Sequence, residues 1–169
     1  MQIKRLLVLI VNTMVFFVVA NFLKYLLVTN GLGKEIFRSN PFVTYSLVKN
    51  TGAAFGLFEG SSFVLFILAL LIVVIIAFYV LLNKFYMKDS HINLLAVLCA
   101  GILGNAVERF MLGYVIDYIK IKSFDFPVFN INDIMISVSA FILIIGFIIK
   151  KKDEYLNDKE IEEDIFYDT

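Results

Sequence analysis

Residues 63–82 have the sequence FVLFILALLIVVIIAFYVLL and contain no charged side chain. An α-helix of this length spans about 30 Å, which matches the hydrocarbon core of a bilayer. The segment therefore predicts a transmembrane helix and fixes the class of the protein. The composition agrees, because 60% of the 169 residues are hydrophobic and the mean hydropathy is +0.87, which is too apolar for a soluble domain of this size.

Three further apolar runs have about the length of a membrane crossing. We expect an all-α membrane protein with four transmembrane helices and a small β-containing loop region on its outer face. A single four-helix domain would cover residues 1–152, with helices at about 6–28, 62–82, 92–112 and 133–150, outer loops at 29–61 and 113–132, and a polar C-terminal tail at 153–169 that frays into disorder.

Some residues within these runs are small or polar. The amides of Asn12 and Asn21 need partners in hydrocarbon, so we expect them to face the interior of the bundle. Lys24, near the end of its run, is expected to extend its ammonium group to the lipid head groups. Gly101 and Gly104 thin one face of the third helix and predict a close contact with a neighbouring helix.

The orientation follows from the parity of the crossings and from the basic residues. With four crossings both termini lie on the same side of the membrane. Three lysines at 150–152 directly follow the last apolar run, and lysines beside a helix end favour the cytoplasmic side. We expect a multi-pass membrane protein with cytoplasmic termini, and with both long loops on the outer face.

The charged, cysteine and histidine residues exclude several classes of function. The chain has 15 basic and 15 acidic residues, so no charge imbalance predicts binding to nucleic acid. The single cysteine, Cys99, lies within an apolar run, and the single histidine, His91, lies in a polar connector. This excludes an internal disulfide and a cysteine-based metal site, and we expect no metal or cofactor. The oligomeric state is unknown from the sequence, with a monomer favoured.

Two carboxyl groups, those of Asp117 and Asp133, lie at opposite ends of a loop-like segment, and each is close to an apolar run. The alternation of residues 118–122 predicts a half-buried strand that starts at Asp117. Ionisable groups at membrane depth are costly and are usually functional. Two close carboxyls that share one proton would activate a water molecule for attack on a peptide carbonyl.

Structural roles for both aspartates remain open. Asp133 precedes an apolar helical run and could be its N-cap. Asp117 could form an interfacial ion pair with Arg109 or Lys120. No serine–histidine or cysteine–histidine combination competes for a catalytic role, because the only cysteine is within a helix and the only histidine is expected on the opposite side.

Four motifs occur in order along the chain: NTGAAF at 50–55, GN at 104–105 followed by ER at 108–109, GYVIDY at 113–118, and FNIND at 129–133. Together they resemble the bacterial lipoprotein signal peptidases, or signal peptidase II, over about residues 5–150. The resemblance implies a four-helix inner-membrane aspartic protease. Such an enzyme cleaves lipid-modified prolipoproteins just before their diacylglyceryl-modified cysteine, and membrane lipids surround it.

The resemblance also assigns roles to individual residues. It makes Asp117 and Asp133 the catalytic pair. The chain departs from the family pattern at Asn21 and Glu108, where aspartates are usual, and at Asn132, where a small residue is usual. These departures leave open a divergent, weakly active paralogue. The substrate site would be lined or shaped by Asn50, Gly52, Ala54, Asn105, Arg109 and Asn130.

Two non-enzymatic functions are alternatives. The chain could be a four-helix transporter subunit or assembly factor whose polar cluster binds an ion or a partner protein. It could also be a module that binds signal anchors. The second is less favoured, because a binding module does not need paired carboxyls at one depth in the membrane.

Overall fold

The structure is a computed structural model that describes residues 2–29, 32–38, 40–53, 57–83, 87–123 and 125–167. Within these residues, four helices are long and apolar enough to cross a bilayer, and two strands form a small antiparallel sheet. The predicted fold class is confirmed. In chain order the elements are α1 (Gln2–Thr29), α2 (Leu32–Arg38), β1 (Val43–Asn50), α3 (Ser62–Leu82), α4 (Asp89–Leu112), β2 (Val115–Ile121) and α5 (Ile131–Tyr167).

Helix α4 is the centre of the bundle, since α1, α3 and α5 all pack against it. Many of its buried side chains are small, among them Ala96, Ala100 and Ala106. Small side chains allow the close helix packing on which association in lipid depends. The outer faces of α1, α3 and α5 expose large apolar side chains, as expected of surfaces that face hydrocarbon.

The contact between α4 and α5 depends on two glycines. A Cβ atom at Gly101 would lie 2.7 Å from the backbone oxygen of Asn132, and a Cβ atom at Gly104 would overlap the side-chain amide of the same asparagine. The expectation that these glycines thin one face of the helix is confirmed. They bring the start of α5 directly against the polar end of α4.

The polar residues of α1 behave in three different ways. Asn12 donates a hydrogen bond from Nδ2 to Oδ1 of Asn93 on α4 at 2.7 Å, as expected of an amide that faces a neighbouring helix. Asn21 instead donates to the backbone oxygen of Phe17 in its own helix at 2.8 Å. For Lys24 the expectation of head-group contact is wrong, because this residue is only 3% exposed and forms an ion pair inside the bundle.

The sheet places Asp117 within a strand rather than at its start. Strand β1 pairs with β2 in antiparallel register, with Val48 opposite Asp117. A β-bulge between Tyr45 and Val48 puts two residues of β1 opposite one residue of β2. Phe129 then bridges to Ile119 of β2, so the chain returns to the sheet immediately before α5 begins.

Gly113 makes the reversal from α4 into β2. Its φ is 79°, a left-handed conformation that favours glycine, and its N–H donates to the backbone oxygen of Arg109 at 3.0 Å. Strand β2 consequently contacts the helix that precedes it. The residues of β2 therefore lie beside the last turns of α4.

Helix α5 is longer than its apolar run and continues to Tyr167. This differs from the disordered tail expected after residue 152. The physical reason is that no glycine or proline follows Gly146, so the chain contains neither of the usual helix stop signals. The lysines and acidic residues beyond residue 150 are also compatible with a helix in water.

Candidate active site

Asp117 is the third residue of β2 and is 1% exposed. Its Oδ2 accepts a hydrogen bond from Asn50 Nδ2 at 3.0 Å, and its Oδ1 accepts one from Asn130 Nδ2 at 2.6 Å. Asn50 lies two residues beyond Val48, the partner of Asp117 in the ladder, and such diagonal neighbours are within reach of each other. The two amides therefore fix the orientation of the carboxyl group.

Asp133 lies in the first turn of α5 and belongs to the cap of this helix. The N-cap residue is Asn130, whose Oδ1 accepts hydrogen bonds from the backbone N–H groups of Asn132 at 2.7 Å and of Asp133 at 3.2 Å. Asp133 Oδ2 accepts in return from the Asn130 backbone N–H at 2.9 Å. This reciprocal arrangement is a capping box. Asp133 thus takes part in capping, although it is not the N-cap residue.

Asn130 joins the two aspartates, because its side chain binds Asp117 and its backbone N–H binds Asp133. Asn105 on α4 completes the network. It donates from Nδ2 to Asp133 Oδ1 at 2.7 Å and accepts from Asn130 Nδ2 at 3.2 Å. Each of the four carboxyl oxygens therefore accepts one hydrogen bond from an asparagine, and each keeps a lone pair for a proton or a water molecule.

Asn132 contacts this network through Asn105. It is fully buried, its side chain fills the space beside Gly104, and its Nδ2 donates to Asn105 Oδ1 at 3.4 Å. Asn105 Oδ1 consequently accepts from two amide groups, which directs its Nδ2 toward Asp133. The sequence identified Asn132 only as a departure from a family pattern. The positions of Gly104 and Asn132 along the chain did not predict that the two residues are in contact.

Arg109 connects α4 to the loop that follows β1. Its Nη2 donates to the backbone oxygen of Gly52 at 2.7 Å, and its Nη1 donates to that of Asn105 at 3.5 Å. The Gly52 N–H in turn donates to Asn50 Oδ1 at 3.0 Å. A Cβ atom at Gly52 would lie 2.9 Å from the backbone oxygen of Leu57, so the tight loop depends on this glycine.

A cavity of about 670 Å³ opens at this end of the bundle. Both aspartates line it, and so do Asn50, Gly52 and Arg109. Asn105 and Asn130 are not among the lining residues, but they donate hydrogen bonds to the two carboxyls that are. Ala54, also expected at the site, lies outside the described residues. Within the described part of the chain, no group of three or more His, Cys, Asp or Glu side chains is arranged to hold a metal ion.

Asp117 does not form the interfacial ion pair that the sequence left open as its structural role. Among the described residues, neither Arg109 nor Lys120 forms a salt bridge with Asp117. Burial raises the pKa of Asp117 from 3.8 to about 6, and the charge of Asp133 adds to the rise. The hydrogen bonds from Asn50 and Asn130 and the charge of Lys24 act in the opposite direction.

One buried ion pair was not expected from the sequence. Lys24 Nζ lies 2.7 Å from Glu108 Oε2, and the two side chains are only 4% and 16% exposed. Both residues lie near the ends of α1 and α4 that lead into the loops, which is the available signal that they share a depth. Their contact depends on how α1 and α4 rotate against each other, which spacing along one chain does not fix.

The fold and the site define a class of protein. This is a multi-pass membrane protein in which two hydrogen-bonded carboxyls line a cavity at one end of the helices. Residues 7–149 match the family model of signal peptidase (SPase) II, and the chain therefore belongs to this family. The expected family membership is thereby confirmed, and this family is one of proteases.

Curated relatives agree with this assignment, and a solved structure shares the fold. The chain is 33% identical over 124 residues to the lipoprotein signal peptidase of Clostridium tetani (strain Massachusetts / E88), which covers 72% of this chain and 78% of the relative. It is 31% identical over 147 residues to that of Staphylococcus aureus, covering 82% and 85%. A solved bacterial membrane enzyme shares the fold, with a TM-score of 0.69, 24% identity and coverage of 86% of this chain and 90% of that one.

Proposed function

We propose that this protein is an aspartic endopeptidase that removes signal peptides from diacylglyceryl-modified prolipoproteins, with Asp117 and Asp133 as its catalytic pair. The observation that carries the proposal is that both carboxyls line one cavity and are joined by a single residue, Asn130. Membership of the signal peptidase II family supports the peptidase activity, and the names of the curated relatives support the lipoprotein substrate.

The two carboxyls differ in ways that suit an acid and a base. Asp117 is buried in the sheet, and burial raises its pKa to about 6, so it is the partner suited to carry a proton. Asp133 is more open to the cavity. In the proposed ground state Asp133 is ionised, Asp117 is protonated, and a water molecule lies between them.

In the proposed reaction, Asp133 takes a proton from the water as its oxygen bonds to the scissile carbonyl carbon. Asp117 gives its proton to the carbonyl oxygen, which forms a neutral gem-diol. Collapse of the gem-diol breaks the C–N bond while Asp133 protonates the leaving nitrogen, and a hydroxyl proton of the gem-diol returns to Asp117. The products are a signal peptide with a new carboxyl group and a lipoprotein with a free amino group on its lipidated cysteine.

The cavity walls suggest how the precursor is held. Arg109 already binds one backbone carbonyl, that of Gly52, and its Nε is buried without a hydrogen-bond partner among the described residues. We assign this N–H to a carbonyl of the substrate, with Asn50 and Gly52 shaping the same wall and Asn105 and Asn130 aligning the carboxyls. A contribution from Ala54 remains part of the proposal. The apolar residues of α5 that line the cavity would accommodate the lipid-bearing end of the precursor.

The proposal includes a location for the chemistry. The cavity lies at the end of the bundle where α1 leads out and α5 leads in, together with the sheet. We place this end at the outer face of the inner membrane and both termini in the cytoplasm, because the lysines at 150–152 directly follow the last apolar run.

Cleavage by purified protein tests the function. The protein is mixed with a lipidated precursor and, separately, with the same precursor lacking the lipid. Wild type should release the signal peptide only from the lipidated form. Asp117→Asn and Asp133→Asn should each remove nearly all cleavage, and the double variant should be scarcely worse than either one, since members of one catalytic unit are not additive.

Asp125→Asn is the matched control, because Asp125 is an exposed aspartate in the same loop region. It should cleave at the wild-type rate. Substantial turnover by either Asp117→Asn or Asp133→Asn would exclude the shared-proton mechanism. Folded wild-type protein that never cleaves the lipidated precursor would favour a non-enzymatic role for the polar cluster.

A further inference from the structure

The Lys24–Glu108 ion pair lies outside the catalytic pair, yet it connects to the strand that carries Asp117. Glu108 Oε2 accepts from Lys24 Nζ at 2.7 Å and also from the backbone N–H of Ile116 at 2.9 Å. Ile116 immediately precedes Asp117 in β2. One carboxylate oxygen therefore joins α1, α4 and the backbone of the catalytic strand.

The burial of Lys24 and Glu108 carries a desolvation cost, which calls for an explanation of why the pair is there. Lys24 is 3% exposed although it lies near the end of a membrane-spanning helix, where a lysine could reach the head groups at little cost. A buried ion pair is weak evidence for stability, since desolvation offsets much of the attraction. The pair is therefore better explained by what it positions than by the stability it provides.

Neighbouring residues do not share this task. Asn21, one turn before Lys24, binds the backbone of its own helix. Arg109, adjacent to Glu108, binds the backbone oxygens of Gly52 and Asn105. Within the described residues, Glu108 is the side chain that binds the β2 backbone next to Asp117.

We propose that Lys24 and Glu108 are positioning residues for the peptidase reaction: Glu108 holds β2 at the residue before Asp117, and Lys24 orients Glu108 and places a positive charge near the catalytic pair. The inference rests on the proposed function of Asp117. It assigns a role to two buried residues that are not among the described residues lining the cavity.

The charge of Lys24 should be visible in the titration of Asp117. Within the described residues, the charged groups that act on Asp117, line its cavity or bind its strand are Lys24 from α1, Lys49 from β1, Glu59 from the loop after β1, Glu108 and Arg109 from α4, and Asp133 from α5. Lys24 favours the ionised form of Asp117, whereas Asp133 favours the protonated form. Removing the lysine charge should therefore raise the pKa of Asp117, and the alkaline limb of the activity profile should move to higher pH.

Three variants separate position from charge. Lys24→Met removes the charge and leaves Glu108 buried without its partner. Glu108→Gln keeps an oxygen that can accept the Ile116 N–H but leaves Lys24 unpaired. The double variant Lys24→Met/Glu108→Gln keeps that hydrogen bond and contains no buried unpaired charge, so it should fold even if a single variant does not. Lys120→Met is the control, because it removes a lysine charge from the exposed side of the same strand.

The measurements are kcat/KM against pH with the lipidated precursor, and Tm against pH without substrate. Lys24→Met should lower kcat by about tenfold to a hundredfold, the scale expected when a reacting group is displaced by about an ångström. The double variant removes one charge of each sign, so it should recover part of this loss and return the alkaline limb toward its wild-type position. Lys120→Met should match wild type in both rate and profile.

Two results would overturn the inference. An unchanged pH profile in Lys24→Met would reduce the pair to a structural role, and rates equal to that of Lys120→Met would remove it from the site. The Tm curves keep this test separate from that of the function. If wild type cleaves no precursor, the proposed function fails, while a shift of the Asp117 titration in the Tm curves still reports on the pair.

Discussion

Asn130 carries more of the site than any other single residue. It caps α5 through its side-chain oxygen, donates from its side chain to Asp117, and donates from its backbone to Asp133. A serine at this position would keep the capping oxygen, but its shorter side chain would not reach Asp117. The cap and the link between the two carboxyls can therefore be separated by mutation.

Asn130→Ser should reduce kcat strongly and keep the stability that the N-cap contributes, while losing that of the buried hydrogen bond to Asp117. Asn130→Ala should lose the same activity and in addition about 1 kcal/mol of stability, the usual cost of removing an N-cap. Thermal unfolding in detergent and single-turnover cleavage measure the two effects. An Asn130→Ser protein with full activity would show that Asp117 does not need this hydrogen bond.

The raised pKa of Asp117 also predicts how stability depends on pH. Folding raises this pKa from 3.8 to about 6, so the folded protein binds the proton more tightly than the unfolded chain does. The contribution of Asp117 to stability is therefore fully present below about pH 4 and is lost as the pH rises through about 6. The Tm of wild type minus the Tm of Asp117→Asn should fall over that interval, because only wild type loses this contribution. A difference that grows with pH would have the wrong sign.

At the scale of elements, the fit of Gly104 against Asn132 fixes the distance between α4 and α5. Gly104→Ala should destabilise the protein by about 1–3 kcal/mol, because the added methyl group overlaps the asparagine side chain. Gly104→Ala combined with Asn132→Ala should be more stable than Gly104→Ala alone. Gly146→Ala is the control, since a Cβ atom there meets nothing within 4 Å. Equal effects of the two glycine substitutions would contradict this account of the packing.

The elements also show what the sequence could and could not predict. Four apolar runs gave four helices because length and hydrophobicity alone decide whether a segment crosses lipid. The strand around Asp117 followed from the alternation of residues 118–122. The ion pair of Lys24 with Glu108 and the contact of Asn132 with Gly104 did not follow. Both depend on how one helix rotates against another, and no periodicity within a single segment records that rotation.

The hydrogen bonds of the site illustrate the same limit. The two aspartates were predicted as a pair because membrane depth makes isolated carboxyls costly. Their connection through Asn130 was not predicted, because it requires the turn from Phe129 into α5 to lie against β2. The sequence predicted the candidate reacting groups, and the tertiary structure shows the residues that hydrogen-bond to them.

At the scale of the whole molecule, the four helices predict one topology. Reporter fusions after Lys49, His91, Lys122 and Tyr155 should locate these positions outside, inside, outside and inside the cytoplasmic membrane, respectively. The reason is that α1, α3, α4 and α5 each have the length and hydropathy of a crossing. An order that places Lys49 and Lys122 on opposite sides would contradict the site, because β1 could not then pair with β2 and Asn50 could not reach Asp117.

The cavity wall formed by α5 has a consequence for how substrate reaches the enzyme. Ile134 and Val138 line the cavity and are 39% and 52% exposed on a membrane-spanning helix, so this wall borders the hydrocarbon. A precursor anchored by its lipid would then arrive by lateral diffusion, and its relevant concentration is its mole fraction in the bilayer or micelle. At subsaturating substrate, adding detergent micelles at constant amounts of enzyme and precursor should slow cleavage by surface dilution, and KM should be constant only when it is expressed per lipid or detergent molecule.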